Sequence, residues 1–104
     1  MKKILLLSML IISLNCFSAN IPKNVDNQIR SWVKTTYPVD TYGSSAQKMM
    51  YDEEIKNYVW LMQNVKSDED KKIYKRVVNI YNPSQYGYSA LKMMYDEEKK
   101  NASW

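Results

Sequence analysis

The sequence predicts an all-α protein: two tandem helix-pair repeats of about 44 residues, forming a small four-helix stack behind a signal peptide. Three observations carry this. The heptapeptide KMMYDEE occurs twice, at Lys48–Glu54 and Lys92–Glu98. Apolar residues recur at helical spacing over long stretches, with only two glycines, Gly43 and Gly87, to interrupt them. The chain opens on MKKILLLSMLIISLNCFSAN, a basic start followed by an apolar run and small residues.

That opening segment has the three-part layout of a secretory signal. Lys2 and Lys3 supply the charge, Ile4 to Leu14 the apolar stretch, and Cys16, Ser18 and Ala19 the short residues before cleavage. The stretch is shorter than the roughly 20 residues a spanning helix needs. The expected signal peptide is 1–19, cut after Ser18 or Ala19, leaving no membrane span and a periplasmic or secreted product. Acylation of Cys16 is the lesser alternative, because Ser13-Leu14-Asn15 matches poorly what precedes a lipidated cysteine.

Cleavage changes the charge. The whole chain has 15 basic and 11 acidic residues, a net +4, and without Lys2 and Lys3 the excess falls to +2. No basic run is long enough to track phosphates, so nucleic acid is not an expected partner. Cys16 is the single cysteine and there is no histidine. The mature domain is therefore expected to fold on its core alone, without disulfides. It lacks the commonest general base and metal ligand, and no cofactor is expected.

The remainder, 20–104, reads as one helical-repeat domain, with repeats at about 24–66 and 67–104. Shifting the chain by 44 residues aligns Tyr42-Gly43 with Tyr86-Gly87, Ser45-Ala46 with Ser89-Ala90, Lys56-Asn57 with Lys100-Asn101 and Trp60 with Trp104. The first helix of each repeat is apolar along one side. Val25, Ile29, Trp32, Val33 and Thr36 form the stripe in one copy, and Ile73, Val77, Ile80 and Tyr81 in the other. Ser67 is placed to cap, with Asp68, Glu69 and Asp70 suiting the dipole of the first turn. Pro38 and Pro83 end these helices, and TYGSS and QYGYS are expected turns. The second helices start near Ser44 or Ser45 and near Tyr88 or Ser89. Tyr51, Ile55, Tyr58, Val59 and Met62 fall on one arc, with Met50 and Leu61 at its edge. Lys48, Asp52 and Lys56 make an outward ladder, repeated as Lys92, Asp96 and Lys100.

The segments YPVDTYGSSAQKMMYDEEIKNYVWL and YNPSQYGYSALKMMYDEEKKNASW resemble a degenerate tandem repeat of bacterial proteins of unknown function, of the type Tyr-Pro-x-Asp-Tyr-x-x-Gln-x-x-Tyr-Asp-x-Gln. Tyr37, Pro38, Asp40, Gln47, Tyr51 and Asp52 match in the first copy; the second has Leu91 for the glutamine and its proline at Pro83. Glu54 and Glu98 stand where that pattern often has glutamine. The resemblance implies a helical architecture and no particular activity.

Asp52, Glu53 and Glu54 are the densest carboxylates, but successive helical residues point about 100° apart and cannot share one site. Glu54 is distinct, lying on the apolar side between Met50 and Tyr58, with Glu98 in the matching place. Such a carboxylate needs a partner. A rim position bonded to a tyrosine hydroxyl or a lysine is the structural expectation, and a polar contact inside a binding groove the functional one. Met49-Met50-Tyr51 and Met93-Met94-Tyr95 are either core stripes or twin contact patches. KMMYDEE is identical on all sides of the helix, which packing alone does not require. The expectation is a binding module for a protein or peptide (inhibitor, immunity or envelope component), not an enzyme, with Met49, Tyr51, Glu54, Met93, Tyr95 and Glu98 as contact residues. The rival is a carboxylate-dependent hydrolase that brings Glu54 and Glu98 within about 5–10 Å.

Overall fold

The structure, a computed structural model, describes residues 21–104. The expected signal peptide and Cys16 lie outside the described residues. The fold is all-α, with four substantial helices packed together and one short helical turn: α1 Lys23–Thr36, α2 Val39–Asn64, α3 Asp68–Ile80, α4 Pro83–Tyr86 and α5 Tyr88–Lys100. α1 packs on α2, α3 on α5, and α2 and α5 join the two pairs. No helix among the described residues is long and apolar enough to cross a membrane.

Each element follows from local sequence. The α1 stripe buries Ile29 and Val33, with Val25 and Trp32 half-buried against the same core. Thr36, expected on that stripe, is exposed because it is the last helical residue before the chain turns at Pro38. In α3 the Ser67 hydroxyl accepts the Asp70 N–H at 3.0 Å, the expected cap, and Ile73 and Val77 are buried. Ile80 ends α3 and is exposed, where the stripe had placed it inside.

The two expected turns are tighter than open loops. Val39–Tyr42 and Pro83–Tyr86 each form a single helical turn, broken by a glycine before the long helix begins. Gly43 has φ 85° and ψ 162°, and Gly87 φ 85° and ψ 164°. This combination of positive φ and extended ψ belongs almost entirely to glycine. It turns the chain sharply enough for the next helix to start in a new direction within one residue.

The core is made by Tyr51, Ile55 and Leu61 of α2 and Tyr88, Leu91 and Tyr95 of α5, above the α1 and α3 stripes. The expected α2 arc is rotated: Leu61 is fully buried and Met62 is exposed. Glu54, expected at the rim of the apolar side, is only 2 % exposed, and 51, 54, 55, 58 and 61 form one regular helical stripe. The first ladder lies outside as expected, with Lys48 paired to Asp52; in the second Lys92 pairs with Asp96 but is half-buried against Trp60.

Candidate functional site

Glu54 organises the joint between the helical pairs. Its carboxylate lies at the start of α5, where the first backbone N–H groups have no partner within the helix. Tyr88 N–H donates to Oε1 at 2.5 Å, while Ser89 donates to Oε2 twice, from N–H at 2.9 Å and from its hydroxyl at 2.5 Å. Gly87 precedes this turn and provides no capping side chain of its own. A carboxylate from another helix therefore does the work of an N-cap and meets the positive end of the helix dipole. The expected rim position, with a tyrosine hydroxyl or lysine as partner, is replaced by a buried one with backbone and serine donors. Three donors and a helix terminus compensate a buried charge where no cation is at hand.

Residues around Glu54 extend the joint. Asn57 Nδ2 donates to the Ser89 hydroxyl at 3.0 Å. Trp60 packs edge-on against Tyr95, and Lys92 Nζ lies 4.2 Å from the Trp60 ring centroid. From α1, Trp32 Nε1 donates to the Gln85 carbonyl at 3.1 Å. A Cβ on Gly87 would fall 2.5 Å from Glu54 Oε1 and 2.8 Å from the Trp32 ring. Gly87 is thus required twice, for its φ and for the closeness of Glu54 and Trp32. Sequence reasoning missed Trp32, Gly87 and Ser89 as a group. The signal was there in Tyr-Gly-x-Ser, which recurs at Tyr42–Ser45 and Tyr86–Ser89.

Tyr51 and Tyr95 are buried anchors. The Tyr51 hydroxyl donates to Asp26, and Arg30 both pairs with Asp26 at 2.9 Å and lies 4.5 Å above the Tyr51 ring. Burial, and then Asp26, push the Tyr51 hydroxyl pKa up, while its hydrogen bond holds the Asp26 carboxyl below the usual range. In the second pair, Lys99 bonds Asp70 at 3.1 Å and holds that carboxyl low. The Tyr95 hydroxyl is buried with no well-formed hydrogen bond among the described residues, and its pKa is raised first by burial and then by Asp70.

The other expected contact residues divide. Met49 and Met93 are 66 % and 60 % exposed, so both are available to a partner. Glu98 is also exposed, and its carboxylate has a loose pairing with Arg76 at 3.9 Å. Glu54 bonds at the first residue of α5 and Glu98 lies ten residues along the same helix, a rise of about 15 Å. The structure does not bring these two carboxylates together. Among the described residues no group of acidic, histidine or cysteine side chains is placed to hold a metal.

What stands open is the start of the long part of α2. Nothing among the described residues lies within 4 Å of where a Gly43 Cβ would be. Beside it runs a groove of about 400 Å³ lined by Arg30, Lys34, Ser44, Gln47, Lys48 and Tyr51. Its cations are Lys34 and, already paired with Asp26 and Asp52, Arg30 and Lys48; with the helix start they favour a carboxylate over a cation there. Comparison with protein-family models, with curated proteins and with solved structures gives no significant match, so the reading of this face rests on its geometry.

Proposed function

We propose that the chain is an exported pair of tandem helical repeats of about 44 residues, and that it acts by binding a helical protein segment on the groove beside Gly43. The observation that supports this reading is a contrast between positions 44 residues apart. Gly87, Ser89, Lys92 and Tyr95 are covered by Glu54, Asn57 and Trp60 of α2. Gly43, Ser45, Lys48 and Tyr51 have the same residue types, with no side chain of another helix among the described residues against Gly43. A segment that presents a carboxylate and an aromatic ring on one helical face fits the open surface as α2 fits the covered one.

Titration of isotope-labelled protein with a synthetic peptide of residues 53–62 (EEIKNYVWLM) tests the proposal. Amide shifts should concentrate at Ser44, Ser45, Lys48 and Tyr51, and Lys48→Glu should abolish them. Shifts confined to Ser89, Lys92 and Tyr95 would mean that the peptide competes only for the internal joint. That result, or no shifts at all, overturns the reading.

A further inference from the structure

The tail of the chain carries the counterpart of the joint. The three α2 residues that cover the second pair are Glu54, Asn57 and Trp60, and 44 residues later come Glu98, Asn101 and Trp104. All three are identical in type. In the joint Glu54 takes the Ser89 donors, Asn57 reaches the Ser89 hydroxyl, and Trp60 lies against Lys92 and Tyr95. The receiving residues at the head of the chain, Ser45, Lys48 and Tyr51, are again identical to these. Glu98, Asn101 and Trp104 are exposed, Trp104 fully, and Ser45 and Lys48 are exposed; Tyr51 is largely buried against Arg30 and Asp26 and reaches the groove only as part of its lining.

We infer that the occupant of the head groove is the tail of a second copy of this chain, docked head to tail. This rests on the binding reading above and names its partner. Glu98 of one copy caps the helix start at Ser44 and Ser45 of the next, Asn101 meets the Ser45 hydroxyl, and Trp104 lies over Lys48 and Tyr51. The contact reproduces between molecules the joint already present within one, so the helix spacing and the residue pairing are both given. It is a heterologous contact, which leaves a free head and a free tail after each addition and builds chains unless it closes into a ring. Each KMMYDEE holds two receiving residues, its Lys and Tyr, and one donating residue, its last Glu, at successive i, i+3 positions along one side of the helix.

The intermolecular contact is weaker than the internal one. Lys99, Ala102 and Ser103 stand where Ile55, Tyr58 and Val59 pack, so less apolar surface is buried. In addition α5 ends at Lys100 and must gain one further turn to bring Trp104 onto the Glu98 face.

Sedimentation of the purified chain over a range of concentrations tests this, with folding of each variant checked by circular dichroism. The weight-average mass should rise with concentration. A tail variant, Glu98→Gln with Trp104→Ala, should weaken association at least about tenfold, having lost charge-assisted bonds and an aromatic contact. A head variant, Ser45→Pro with Lys48→Glu, should do the same. Proline removes one donor in a first helical turn that tolerates it. An equimolar mixture of the two variants retains one intact head and one intact tail, and should restore dimers but nothing larger. A chain that stays monomeric at about 1 mM, a concentration that detects even millimolar affinity, overturns the inference. If the 53–62 peptide still binds the head groove, the binding reading survives that outcome. Association unaffected by either variant, or no recovery on mixing, overturns the inference by assigning the contact to another surface.

Discussion

Glu54 and Glu98 end identical heptapeptides, yet one is buried under three hydrogen bonds and the other faces solvent. Their substitution should therefore differ sharply. Glu54→Ala leaves Tyr88 N–H without its acceptor in a buried setting and should lower stability by roughly 3 kcal/mol in denaturant unfolding. Glu98→Ala should stay within about 0.5 kcal/mol. Equal effects would show that the cap at α5 contributes nothing. The glycines form a second pair of this kind. Both adopt a conformation that costs other residues about 1–3 kcal/mol. Gly87→Ala meets Glu54 and Trp32 in addition, whereas Gly43→Ala meets nothing, so Gly87→Ala should be the more damaging by about 1–3 kcal/mol. Asp26 gives the pH dependence. Its folded-state pKa is lowered, first by the Tyr51 hydrogen bond, so its stabilisation is present above the ordinary value of 3.8 and is lost as pH falls through the folded value. Asp26→Asn should flatten the acid limb of the stability profile below about pH 4, a region in which Asp70, also lowered, continues to titrate. Little of this was legible from residue type. A glutamate on an apolar arc announces that it needs a partner, but its partners are backbone groups of a helix 34 residues away, and backbone donors leave no mark in a sequence.

Helix by helix, the sequence was far more informative. The α1 and α3 stripes, the Ser67 cap and the two proline stops are local features, and each fixed its element to within a residue or two. Spacing points Thr36, Ile80 and Met62 inward, but Thr36 and Ile80 are the last residues of their helices, Met62 is two residues from the end of α2, and all three are exposed. Conversely Leu61, at the edge of the expected arc, is fully buried. The same view of element ends predicts an uneven α5. Lys99 stands where α2 presents Ile55, the helix gives way to turns after Lys100, and Ala102 and Ser103 follow where α2 presents Tyr58 and Val59. Hydrogen exchange in dilute solution should be fast from about Lys99 onward and slow across Tyr51–Met62. Equal protection of the two segments in dilute solution would place part of the core in the last turn of α5.

At the scale of the whole molecule, stability depends on whether two helical pairs can stand apart. Neither pair is closed on itself. Glu54 of the first pair is buried against the second, and Leu61 belongs to one core with Tyr88, Leu91 and Tyr95 of the second. In stacked helical pairs the nearest-neighbour joint carries much of the folding free energy, because a single pair cannot bury its apolar face alone. A domain of 84 described residues without a disulfide has no other reserve. Two probes report separate parts of this arrangement. Trp32 and Trp60 both lie at the joint, against Gln85 and Tyr95, so tryptophan emission follows separation of the pairs. Far-ultraviolet circular dichroism follows the helices themselves. If the joint holds the helices, neither pair persists after it opens, and the two probes should give coincident denaturant transitions with a single midpoint. Emission that changes at lower denaturant than the dichroism would reveal pairs that survive apart, and would move the source of stability from the joint to the individual hairpins.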